Sequence, residues 1–177
     1  MDAHLEGFTN LGNAHLGQAD LRGAHLEVAY LAGAHLEEAD LFNAHLGLAH
    51  FEGAHLEGAK LATAHLAWAI LRRAYLGGTN LMYAHLRGAR LEAAHLEGAN
   101  LMGAHLEEAV LIIAHLEGAD LRRVHLEEAN LERAHLKGAD LSTAKGLTQN
   151  QITEVSGNSK TILPQGLTGQ NTGLGFK

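Results

Sequence analysis

Residues 54–73 read AHLEG AKLAT AHLAW AILRR. Leu56, Leu61, Leu66 and Leu71 recur at every fifth position, and an Ala stands two residues before each. Followed outward in both directions, the Leu series runs unbroken from Leu11 to Leu141, with Phe51 its one replacement, and makes 27 consecutive units. The preceding small residue is Ala in 24 of them and Thr9, Thr79 or Val124 in the rest, so the unit is Ala-x-Leu-x-x. Upstream, Ala3-His4-Leu5-Glu6-Gly7 is one more unit, but Phe8 is an extra residue that shifts the register. Residues 1–8 are therefore read as a partial first repeat and a bulge.

A period of five excludes the usual elements. On an α-helix five residues advance about 140°, which would wind the Leu positions around the whole cylinder and leave no polar face. On a strand, Ala and Leu of one unit share a face, but five is odd, and the next unit would turn them outward. A corner in every unit solves this by keeping all Ala and Leu side chains inside a coil. Gly at the second position after Leu in ten units suits such corners. The residue between Ala and Leu fixes the number of sides. It is His at every tenth position from His15 to His135, except Tyr75, so the number is even. Columns spaced by twenty (Gly58, Gly78, Gly98, Gly118 and Gly138; Val28, Leu48 and Trp68) make it four.

This run of Ala-x-Leu-x-x units resembles the pentapeptide-repeat proteins over residues 9–143. The resemblance implies an all-β fold, a right-handed four-sided parallel β-helix. Members favour Asp or Asn between Ala and Leu, where half of the units here carry His. That departure lies on the outer surface.

After Ala144 the pattern stops. Thr148, residues 149–155 and Gly157 read as an N-cap, a short helix and a C-terminal glycine. Residues 144–167 are thus expected to form a helical cap, with Ile152, Val155, Ile162, Leu163 and Leu167 covering the apolar floor of the last coil. The polar, glycine-rich residues 168–177 are expected to be a mobile tail.

Composition narrows the function. The chain has 177 residues, no Cys and a net charge of −7. Disulfide and thiolate chemistry are excluded, and 13 dispersed Lys and Arg argue against a direct nucleic-acid binder. No apolar run approaches a membrane span, and the amino terminus lacks the pattern of a signal peptide, so a cytoplasmic protein is expected. His and Glu abound without a paired nucleophile at a concave site or a phosphate-binding glycine motif. Neither catalytic residues nor a cofactor are expected.

Folding the sequence onto four faces shows where charge and apolar groups gather. Acidic residues concentrate on two opposite faces, which also carry the histidines: Glu37 and Glu38 on one, Glu107, Glu108, Glu127 and Glu128 on the other. These six are the candidate contacts for a protein partner. Histidines should stack about 4.8 Å apart, in ladders His15-His35-His55 and His95-His115-His135 on one face and His25 through His125 on the other. Parallel rings on a flat face do not converge tetrahedrally, so no metal site is expected. Val28, Leu48 and Trp68 form an exposed apolar column with Phe42 on the neighbouring face, a candidate surface for a homodimer.

Two readings of function follow. One is a non-enzymatic interaction protein that presents flat, acidic, His-laddered faces to a protein partner. The other comes from the resemblance: some members imitate double-stranded DNA, bind DNA gyrase and modulate its response to poisons. A rod of roughly 32 Å would match about 19 phosphate charges of B-DNA, against a net charge of −7 here.

Overall fold

The computed structural model describes residues 9–168. The partial first unit with Phe8, and the tail from residue 169 onward, lie outside the described residues.

Each repeat residue between Ala and Leu forms a parallel bridge with the residue twenty positions on: Asn10 with Tyr30, His15 with His35, Asp20 with Asp40, His25 with His45, and so on along the chain. Four pentapeptides therefore complete one coil of a parallel β-helix. Among the described residues no strand is longer than a single bridge, because the corner that keeps Leu inside interrupts the ladder in every unit.

Unit 30–34 shows how the backbone is satisfied. The N–H of Tyr30 donates to Thr9 O of the coil before, while those of Leu31 and Gly33 donate to His50 O and Glu52 O of the coil after. Ala34 N–H closes the corner on Leu31 O at 3.0 Å. Four of the five donors are used, as a buried wall requires. The fifth belongs to the residue after Leu. In several units Asp or Asn two residues earlier accepts it, as Asp40 does from Phe42 and Asn100 from Met102. This Asx turn gives a physical reason for Asp or Asn between Ala and Leu.

The corner demands a left-handed residue. The second position after Leu has φ between +53° and +72° in 26 units, ten of them Gly and sixteen not, including the β-branched Val28, Thr63 and Ile113. A positive φ at the third of four residues joined by a corner hydrogen bond is the signature of a type II turn. Glycine therefore eases the corner without being required for it; the ladder bonds on both sides impose the conformation.

Inside, Leu and Ala fill the coil. From Leu26 to Leu141 every repeat Leu, and Phe51, is buried, as is the small residue of every unit from Ala24 to Ala139. Leu11, Leu16 and Leu21 are partly exposed at the amino end. The small slot also accepts Thr79 and Val124, both fully buried, with slightly longer corner bonds. The two longest corner bonds, 3.2 Å at Thr79 and 3.3 Å at Val124, occur where a β-branched residue replaces Ala. The hydroxyl of buried Thr79 donates to Leu76 O at 2.8 Å, so it is not left unpaired.

The carboxyl end departs from the expected helical cap. Among the described residues there is no α-helix; the segment makes a single 3-10 turn, Asn150–Ile152, and Gly157 is not left-handed. Thr148 and Gln151 do exchange hydrogen bonds, Thr148 N–H to Gln151 Oε1 at 2.8 Å and Gln151 N–H to Thr148 Oγ1 at 3.4 Å. A longer helix is prevented by the coil edge, which claims the backbone. Lys145, Ser156 and Ile162 continue the bridges above His125, His135 and Asp140, so the chain must be extended there. Ile152 and Val155 are buried and Leu163 and Leu167 pack against the core, as expected, whereas Ile162 takes an outward rung and is 50% exposed.

Candidate functional site: the two histidine faces

Placing His on a rung fixes its neighbours. On one face the rings of His25, His45, His65, His85, His105 and His125 stack at centroid spacings of 4.3–5.2 Å, with planes within 20° of parallel. On the opposite face the two expected ladders are one. Tyr75 stacks on His55 at 4.7 Å and on His95 at 5.1 Å, so seven rings run from His15 to His135. An aromatic ring of similar width preserves the stack. The substitution that seemed to break the ladder continues it.

Glutamate two residues after His completes the arrangement. Nδ1 of His35, His95 and His105 lies 3.0, 3.0 and 2.9 Å from Oε1 of Glu37, Glu97 and Glu107. An ionised carboxylate only accepts, so Nδ1 carries the hydrogen and Nε2 is left as the acceptor. Lys145 Nζ lies 3.4 Å from Nε2 of His125, a donor facing that acceptor. These Glu residues also serve the backbone. The first cause on Glu37 is its hydrogen bond from His35, followed by one from its own N–H, and together they hold it below the usual carboxylate range. Burial pushes Glu27 and Glu107 upward, but bonds from their own N–H groups and from His25 or His105 outweigh it, and both are lowered. In the His units, then, Glu can occupy the fifth backbone donor that Asp or Asn takes elsewhere. His85 has no Glu two residues on; burial first, then the charges of His65 and His105, lower its pKa.

The six candidate acidic contacts are not equally available. Glu37 and Glu107 are engaged by histidine, Glu38 accepts from Gln18 Nε2 at 3.1 Å, and Glu108 pairs with Arg87 at 2.7 Å. Glu127 lies 3.9 Å from His125 Nδ1. Glu128 alone of the six takes part in no hydrogen bond or ion pair among the described residues, and lines a groove beside the cap with Glu132 and Glu154. Sequence reasoning placed the carboxylates on the correct faces but missed their pairing; the recurrent His-Leu-Glu spacing was the available signal.

Val28, Leu48, Trp68 and Phe42 are 45%, 54%, 50% and 50% exposed. Trp68 does not project freely, because its ring lies over Gly88 of the next coil in the space a side chain would need, and Tyr83 covers Gly103 in the same way. Part of the apolar column therefore packs on the rod itself.

Chemically, the faces offer aligned proton-accepting groups and carboxylates. The interior is filled by Leu and Ala, and among the described residues no helix is long and apolar enough to cross a membrane.

Comparison with known proteins agrees with this architecture. Eight copies of the family model for pentapeptide repeats match residues 9–47, 49–87, 84–114 and 114–145. Among solved structures, HetL, a pentapeptide repeat protein involved in heterocyst differentiation regulation from the cyanobacterium Nostoc sp. strain PCC 7120, is 32% identical, over 89% of this chain and 80% of its own, with a TM-score of 0.49. Rfr23 from the cyanobacterium Cyanothece 51142 is 33% identical over 67% of this chain and 63% of its own, with a TM-score of 0.39. A trypsin-treated variant of QnrB1, a plasmid-mediated fluoroquinolone resistance protein, is 20% identical over 97% of this chain and 87% of its own, with a TM-score of 0.57. At that identity the last likeness speaks for the fold alone. A search of curated proteins gave no match.

Proposed function

Because the chain belongs to the pentapeptide-repeat family, we propose that it is a non-enzymatic interaction protein whose flat His-Glu faces dock a protein partner in the cytoplasm. The observation that carries this reading is the pair of opposite faces on which imidazoles stack along the backbone bridges, several of them hydrogen-bonded to the glutamate two residues on. Such a surface is already ordered before a partner arrives, so binding costs little side-chain entropy. Glu127 and Glu128, exposed at the carboxyl end of one face, are among its accessible charges.

The DNA-shaped reading is less well supported, since a net charge of −7 falls well short of the about 19 phosphate charges that B-DNA carries over the length of the rod. Two measurements test the choice. Charge reversal at Glu127 and Glu128 to Lys should abolish partner capture by the full chain and leave its melting midpoint unchanged, while capture that survives reversal removes this face from the interface. Inhibition of DNA gyrase supercoiling by stoichiometric protein would replace the proposal with DNA mimicry.

A further inference from the structure

Parallel imidazoles alone cannot converge on an ion, but the structure interleaves a carboxylate between successive rungs. Four His-Glu-His groups bring one ligand atom from each residue within 4.8 Å of one another: His25-Glu27-His45, His95-Glu97-His115, His105-Glu107-His125 and His115-Glu117-His135. In the first three, the glutamate is committed by a contact of 2.9–3.3 Å to the histidine that precedes it. The fourth differs. Oε1 of Glu117 lies 3.8 Å from Nδ1 of His115 and 3.6 Å from Nδ1 of His135, too long for a hydrogen bond to either. Its Oε2, like those of Glu57 and Glu107, is shielded from solvent and accepts no hydrogen bond from another residue, so the uncommitted Oε1 is what sets this group apart. A buried carboxylate oxygen without a donor is costly unless something else compensates it.

We propose that His115, Glu117 and His135 form a binding site for a divalent transition-metal ion of the Zn²⁺ class. Ligands about 2.0–2.2 Å from a tetrahedral ion stand about 3.3–3.6 Å apart. The two edges that meet at Glu117, 3.6 and 3.8 Å, are therefore within a few tenths of an ångström of those of a metal site, and the third, between the two histidines, lies within 4.8 Å and has to shorten as the rings turn. Two imidazole nitrogens and one carboxylate oxygen are a borderline donor set that favours such ions over Ca²⁺ or Mg²⁺. The rings of His115 and His135 are already 19° from parallel, and rotation about the soft second torsion of histidine turns both Nδ1 lone pairs toward a common point. All three residues are part-buried, which leaves the fourth position open to water. Lys137 takes the glutamate position one coil further on, where it is exposed and makes no hydrogen bond or ion pair with the three ligands.

Calorimetric titration of the untagged, chelator-stripped full chain with Zn²⁺ at pH 7.5 tests the site. The tightest binding step should weaken at least tenfold in Glu117→Gln and again in His135→Asn. It should stay unchanged in the double variant His65→Asn with His85→Asn, whose rungs have Ala67 and Arg87 where a glutamate would stand. Metal-free melting midpoints matching the parent show that each variant folds. Absence of a saturable step, or a tightest step that survives Glu117→Gln, overturns the proposal.

Discussion

Replacing Ala93 by Gly should stabilise this protein, the reverse of the usual effect in regular secondary structure. Ala93 occupies the left-handed corner position at φ +53°, and Gly98, the equivalent residue of the next unit, has φ +64°. A side chain in that region costs roughly 1–2 kcal/mol, while Gly gives up about 0.5–1 kcal/mol more chain entropy on folding than Ala. The difference leaves Ala93→Gly about 0.5–1 kcal/mol more stable, with only one methyl group lost. Gly98→Ala should cost about the same amount, because nothing lies within 4 Å of the added carbon and only the backbone angle opposes it. For a chain of this size 1 kcal/mol moves a melting midpoint by roughly 2–4 °C, so the two variants should melt about 2–8 °C apart. Paired thermal and urea melts measure the gap. A lower midpoint for Ala93→Gly, together with an unchanged or higher one for Gly98→Ala, would refute the argument that the corner is held against residue preference by the ladder.

Leu76→Ala, at a fully buried position, should cost about 2–5 kcal/mol by leaving a cavity, and a denaturation midpoint unchanged by it would mean that the site is not core. Gly88→Ala should be worse tolerated than Gly98→Ala, since the Trp68 ring occupies the space above Gly88; equal midpoints would contradict that packing. Stability should fall from pH 8 to pH 5. The lowered pKa of His85 means that the unfolded chain takes up this proton near ~6.5 while the fold resists it. The lowered Glu27, Glu37 and Glu107 contribute stability present above the ordinary carboxylate range and lost only as pH falls further; a higher midpoint at pH 5 would show that glutamate attraction outweighs the resistance of the ladder. Trp68→Glu combined with Leu48→Glu should convert a dimer built on the apolar column to monomer in sedimentation, and a dimer that survives both lies elsewhere.

The period of five, the alternation of His and the columns spaced by twenty determined the inward Leu and Ala, the coil and its four sides. They could do so because an odd period is incompatible with a continuous strand or helix, and because burial of one face depends only on local spacing. The carboxyl end was legible only in part. Its apolar residues announced Ile152 and Val155 as cover for the core, yet the competition between helix bonds and the unpaired edge of the last coil depends on where that edge lies. The same limit applies to the faces. Sequence placed His and Glu on them, but whether a carboxylate binds its own histidine, as Glu97 does, or sits between two, as Glu117 does, differs by less than an ångström. Residues twenty positions apart meet across the coils at that scale, and only the tertiary structure sets their distance.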